Sequence, residues 1–274
     1  MRQTIFESAD VSVVKVPGHR EDVVFVTFES FNPNHKPDRA GFGEGFFRSR
    51  GFTAYHVLPS ANVWYHYPEM KEALARLRAD LPAGARVVTY GMSMGGYAAY
   101  RFSDWVGADV VIAFSPQYSI DPWRVWWWER RWGSEGKSFI WDRQPPRREA
   151  VKYVFYDPLN QDRRHVRRLR REAPLELVRA YFSGHATITF VQECGMLEAA
   201  VIGIAEDRFD ARDFERQLWR QRTASATYHK MRRRKKTGIF RRLRYICIER
   251  FLARRLGVAE GSDPAGLLPG QGPV

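Results

Sequence analysis

Residues 86–105 carry the feature that most limits how this chain can fold. Arg86-Val87-Val88-Thr89-Tyr90 is a short β-branched run. It passes without a break into Gly91-Met92-Ser93-Met94-Gly95-Gly96, and Tyr97-Ala98-Ala99-Tyr100 follows as a helix rich in small residues. A buried strand that becomes a helix within one glycine-flanked turn is half of a βαβ unit. Such units build parallel sheets with helices on both faces. Glycine at 91, 95 and 96 leaves room for the strand and the helix to approach closely.

The rest of the chain keeps this alternation. Short apolar runs at 22–29, 53–58, 109–114, 151–156 and 175–182 read as strands. Helices are expected at 41–50, stopped by Gly51, and at 67–81, 95–105, 162–172 and 187–205. In 67–81, Met70, Leu74, Leu77 and Leu81 form a helical stripe after Pro68. Residues 4–16 alternate and end at Pro17-Gly18, which reads as an edge strand or hairpin. The fold class is therefore α/β, a mostly parallel sheet flanked by helices over 1–205. Residues 120–148 interrupt the rhythm with Trp123, Trp126, Trp127, Trp128, Trp132 and Trp141 among many charges. They read as a lid-like insertion over the carboxyl edge of the sheet or as a core-covering aromatic cluster. In the first case Arg124, Arg130 and Arg131 are candidates for recognising a carboxylate or phosphate.

Charge divides the chain. The net charge of +13 is concentrated from Glu206 onward, where 17 Lys+Arg face 8 Asp+Glu. Residues 206–258 are expected to form a basic helical extension, and 259–274, rich in Gly and Pro, a disordered tail. Within 239–256, Ile239, Leu243, Ile246, Phe251, Leu252 and Leu256 are interleaved with arginines, next to the run Lys230-Met231-Arg232-Arg233-Arg234-Lys235-Lys236. Residues 230–256 thus suit an anionic membrane surface or an acidic partner. Nucleic acid is not expected, since no nucleic-acid motif accompanies the charge. The two cysteines, Cys194 and Cys247, have neither zinc-ligand nor disulfide-framework spacing. The first residues lack the apolar core of a signal peptide. A cytoplasmic protein, at most peripheral to a membrane, is the expectation.

Gly91-Met92-Ser93-Met94-Gly95 is also a G-x-S-x-G pattern. A serine on a sharp strand-to-helix turn has its Oγ raised above the sheet, and the amide of the next residue, Met94, lies at the positive end of a helix. The run VVTYGMSMGGYAAY resembles the nucleophile elbow of the α/β hydrolases, and GMSMGG is similar to that of bacterial esterases, lipases and thioesterases. The resemblance in strand–helix order spans about 22–205. It implies Ser93 as nucleophile, followed in chain order by an acid and then a histidine. Of His165, His185 and His229, the resemblance points to His185, in the turn Ser183-Gly184-His185 after the last strand. His165 reads as a surface residue of an arginine-rich helix, and His229 as exposed in the tail. The acid is expected after the strand 151–156, where Asp157 and Asp162 compete and Asp157 is favoured. Asp162 also reads as a helix cap. The resemblance places a second oxyanion donor after the strand 22–29, at the amide of Ser30 or Phe31. The His-Gly pair common at that position is absent.

The implied activity is cleavage of a carboxylic ester or thioester through an acyl-Ser93 intermediate, with His185 as general base and Met94 N–H on the oxyanion. Neither metal nor organic cofactor is expected. Amidase and acyltransferase chemistry share this constellation. Two alternatives remain: a non-catalytic module of the same fold acting at a membrane or in surface-polysaccharide assembly through its basic tail, and a nucleic-acid binder.

Overall fold

The computed structural model describes residues 1–33, 35–36, 38–125, 128–129, 132, 138–234 and 239–257. Trp126, Trp127, Arg130, Arg131, Lys235, Lys236 and the tail 259–274 lie outside the described residues.

The strands β1 (Gln3–Glu7), β2 (Val11–Val16), β3 (Arg20–Phe28), β4 (Phe52–Pro59), β5 (Arg86–Met92), β6 (Val110–Phe114), β7 (Val151–Tyr156) and β8 (Glu176–Arg179) form one sheet. Its order is β1-β2-β4-β3-β5-β6-β7-β8. The β1–β2 hairpin is antiparallel, as is the β2–β4 pair. The other neighbours are parallel.

Side chains along each strand alternate between two cores, as the two-residue period requires. Val24, Val26 and Phe28 of β3 and Val111 and Ala113 of β6 face one core. Val23, Phe25, Val110, Ile112 and Phe114 face the other. The first core is covered by α2 (Met70–Asp80), α3 (Met94–Arg101), α4 (Ser103–Val106) and α6 (Asp162–Glu172). The second is covered by α1 (Glu44–Arg48), α7 (Thr187–Glu193), α8 (Leu197–Ala205), α9 (Ala211–Gln221), α10 (Ala226–Arg234) and α11 (Ile239–Arg255). The short helix α5 (Pro122–Val125) opens the insertion. Phe214, Leu218, Trp219, Tyr228, Leu252 and Leu256 join the second core, so the basic extension packs on the sheet.

The helices expected at 41–50 and 67–81 are trimmed at their ends to α1 and α2, and three further elements are cut short by a turn. Residues 95–105 split into α3 and α4 at Phe102, where the Ser103 hydroxyl donates to the Tyr100 carbonyl at 2.8 Å. Residues 187–205 form α7 and α8, bent by 108°. Gly195, at φ +70°, makes the turn between them. The run 175–182 contributes only β8, because the chain turns at Phe182, which has φ +65°. No single helix among the described residues is long and apolar enough to cross a membrane.

Candidate active site

The turn between β5 and α3 is built by contacts only glycine permits. A Cβ on Gly91 would lie 2.4 Å from the Gly95 carbonyl, and one on Gly95 would lie 2.1 Å from the Phe28 oxygen. Ser93 sits between them at φ +55°, ψ −115°. Such a conformation costs a non-glycine residue roughly 1–3 kcal/mol. It is held by Ser93 N–H donating to Phe114 O and by Tyr97 N–H donating to Ser93 O, both at 2.9 Å.

This backbone aims Ser93 Oγ at the turn after β8. Ser93 Oγ lies 2.9 Å from His185 Nε2, and His185 Nδ1 lies 2.8 Å from Asp162 Oδ2. The carboxylate accepts from Nδ1–H, which leaves Nε2 free of hydrogen to accept from the serine hydroxyl. Ser93 is 4% exposed and the His185 side chain 23%. Asp162 is buried.

The carboxylate on His185 is thus Asp162, and the preference for Asp157 is corrected. Asp157 stands too close to the end of β7, where backbone amides take its oxygens: Leu159 N–H donates to Oδ1 at 2.8 Å and Gly184 N–H to Oδ2 at 2.9 Å. Five residues further on, the loop has brought Asp162 under the imidazole. Asp162 is the first residue of α6 rather than its cap, a position held by Gln161. Asp157 still bears on the site, because Gly184 immediately precedes His185.

One partner of the serine had no signal in the sequence. Gln117 Nε2 donates to Ser93 Oγ at 3.0 Å, while Gln117 Oε1 accepts from Trp64 Nε1 at 3.3 Å. The indole bond fixes which way the amide points. Trp64 and Tyr65 both have positive φ, 52° and 60°. Tyr65 anchors this strained corner by donating from its hydroxyl to Glu29 O at 2.9 Å. Gln117 reaches the serine because β6 lies beside β5, a neighbour relation that no local motif encodes.

Met94 opens α3, so its amide is among those a helix leaves without an internal acceptor. Gly95 packs on the carbonyls of Phe28 and Glu29, which brings the loop with Ser30 and Phe31 alongside the elbow. A buried bidentate ion pair holds that loop: Arg39 Nη2 donates to Glu29 Oε2 at 2.6 Å and Arg39 Nε donates to Glu29 Oε1 at 3.0 Å. The Phe31 ring lies 5.0 Å from Trp132 and 6.4 Å from Trp64, so an aromatic wall flanks the Gln117–Ser93 contact.

His165 is buried rather than exposed. Its Nδ1 accepts from Tyr118 N–H at 2.9 Å, and its Nε2 lies 3.0 Å from Glu129 Oε2, which ties the insertion to α6. His229 is exposed. Arg124 contacts Asp142, Tyr118 and Glu172. Asp142 in turn accepts from Tyr97 at 2.9 Å and from Ser119. Burial works against the Asp142 carboxylate, but His66, Ser119 and Arg124 hold it below the usual range. Arg124 is therefore built into the anchoring of the insertion. Trp141 packs edge-on against Trp105 at 4.9 Å. Among the described residues, no group of three His, Cys, Asp or Glu side chains is arranged to hold a metal ion.

Residues 21–234 match the model of the alpha/beta hydrolase family. No curated protein matches the chain. Similar solved structures include esterase 2 of Thermogutta terrifontis phosphoramylated by tabun, 14% identical over 77% of this chain and 96% of that one, with a TM-score of 0.51. A bacterial heroin esterase is 15% identical over 80% and 84%, with a TM-score of 0.51. The capsule O-acetyltransferase of Neisseria meningitidis serogroup A is 13% identical over 73% and 93%, with a TM-score of 0.50. At these identities the likeness is one of fold.

Proposed function

The chain belongs to the alpha/beta hydrolase family, and from that premise we propose that it cleaves a carboxylic ester or thioester through an acyl intermediate on Ser93. The observation that carries this reading is the unbroken relay Asp162–His185–Ser93, with contacts of 2.8 and 2.9 Å. Ser93 Oγ attacks the acyl carbonyl as His185 Nε2 takes its proton. The imidazolium is stabilised by Asp162 and then protonates the departing alkoxide or thiolate. Water next attacks the acyl-serine, giving its proton to Nε2. The acid is released and the Ser93 hydroxyl restored. Met94 N–H and an amide of the Ser30–Phe31 loop stabilise the oxyanion in both halves. Phe31, Trp64 and Trp132 supply an apolar wall suited to the acyl group.

An acceptor other than water would make the same intermediate an acyltransferase, the activity that names the Neisseria neighbour. The non-catalytic reading needs a histidine that cannot reach the serine, and a 2.9 Å contact argues against it. The test is labelling by a fluorophosphonate probe. Wild type is expected to label, Ser93→Ala not at all, and His185→Ala far more slowly. A folded wild type that fails to label defeats the proposal.

A further inference from the structure

The helix α11 has two apolar faces, and the fold uses one. Leu252 and Leu256 are buried in the second core, with Tyr245 and Ile248 packed against it. On the other side Leu243 is 55% exposed, Phe251 is 61% exposed, and Cys247 is exposed. These three recur every four residues, which sets them in one line along the helix surface. Residues three and four beyond Phe251 are Arg254 and Arg255, both exposed, so the apolar line runs into a pair of guanidinium groups.

That pair belongs to a larger cationic site. Arg179 at the end of β8, Arg212 and Arg216 of α9, and Arg254 and Arg255 of α11 line a cavity of about 630 Å³ with Glu215. Glu215 is committed to Arg179 at 3.1 Å. Among the described residues, no carboxylate lies within ion-pair distance of Arg212, Arg216, Arg254 or Arg255. Glu215 and Asp210 act on Arg255, Arg212 and Arg216 only through space, so the five guanidinium forks outnumber the carboxylates around them, an arrangement that matches phosphate oxygens. An apolar stripe that ends in such a site fits an amphiphile with an anionic head. A second copy of the chain fits poorly, because arginine clusters would face each other in a chain of net charge +13.

We propose that α11 docks this protein on an anionic phospholipid bilayer. Leu243, Cys247 and Phe251 enter the boundary between headgroups and acyl chains, and the arginine cavity takes a lipid phosphate. Docking is independent of the chemistry at Ser93, since none of these residues touches the relay.

The experiment is vesicle co-sedimentation of the full chain, with phosphatidylcholine alone and with phosphatidylcholine containing one quarter phosphatidylglycerol. Wild type is expected to pellet with the second and stay in solution with the first. Arg254→Gln/Arg255→Gln is expected to weaken binding about 25-fold, from roughly fivefold per charge, and to reduce its salt dependence. Leu243→Ser/Phe251→Ser is expected to weaken it at least about tenfold at unchanged charge. All four side chains are exposed, and unchanged circular dichroism and melting verify that the variants fold. The proposal is overturned by equal binding to neutral vesicles, or by wild-type affinity in Leu243→Ser/Phe251→Ser, the mark of simple polycation adsorption. It is equally overturned by a lipid-free dimer that Phe251→Ser dissolves, or by inorganic phosphate binding without vesicle binding.

Discussion

Asp157 and Asp162 stand five residues apart and do different work, which a pair of substitutions separates. Asp162→Asn keeps the shape of the acceptor but removes the charge that fixes the Nδ1–H tautomer of His185. Fluorophosphonate labelling is expected to slow by about 10³–10⁴-fold with little change in melting. Asp157→Ala instead strips acceptors from the amides of Leu159 and Gly184. It is expected to destabilise the fold by about 2–3 kcal/mol, while the folded fraction labels within tenfold of wild type. If the two phenotypes are exchanged, the assignment of the acid is wrong. Gln117→Leu removes one hydrogen bond to Ser93 Oγ and orphans the Trp64 indole, so a rate loss of about tenfold or less and a lower melting temperature are expected. At this scale the contact of Ser93 with His185 was legible because each sits in a glycine-marked turn beside a strand. Which carboxylate meets His185 was not, because strand position does not encode how far a loop must climb before its carboxylate faces the imidazole. Gln117 was not, because its role arises from the lateral pairing of β6 with β5.

The elements themselves were largely legible, and their ends less so. Seven of the eight strands follow runs of β-branched and aromatic residues, β8 (Glu-Leu-Val-Arg) being the exception, and the glycines of the elbow show why β5 and α3 must meet as they do. Gly95→Ala would drive a methyl group to 2.1 Å from the Phe28 oxygen, a backbone atom that cannot step aside. It is expected to cost more than about 3 kcal/mol and to abolish labelling together with the fold. Gly45→Ala is the control. It lies inside α1 with no atom within 4 Å of the added carbon, so a gain of about 0.5–1 kcal/mol is expected in urea unfolding. A Gly95→Ala protein with wild-type stability would show that this close approach is not required. The breaks inside 95–105 and 187–205 escaped because both runs keep a helical composition through the turn. Gly195 was visible, but only the packing of α8 on the second core required it to bend the chain rather than sit within a helix.

At the scale of the whole molecule, the charge asymmetry suggested a separate basic extension, yet α9–α11 share a core with β6–β8. Apolar residues among the arginines do not reveal which surface they will meet. The sheet also buries a charge-sensitive group that bears on global stability. His56 of β4 is fully buried, with Nδ1 2.6 Å from Thr27 Oγ1 and, among the described residues, no hydrogen-bond partner for Nε2. Burial lowers its pKa to about 4 from 6.5; the Glu44 carboxylate opposes this shift and the Arg2 guanidinium adds to it. Between these two values the unfolded chain binds a proton that the folded chain refuses. Stability is therefore complete above about pH 6.5 and is lost as the pH falls toward 4. The loss expected by pH 4.5 is about 2.5 kcal/mol. Asp22, Asp80, Asp142, Glu193 and Glu206 are all held below their ordinary values, so their contributions persist above those values and fade only at lower pH. Urea unfolding at pH 7.5 and 4.5 reads the difference directly. His56→Gln is expected to be less stable than wild type at pH 7.5 but nearly level between the two conditions. A variant that keeps the full wild-type slope would place the acid sensitivity in another group.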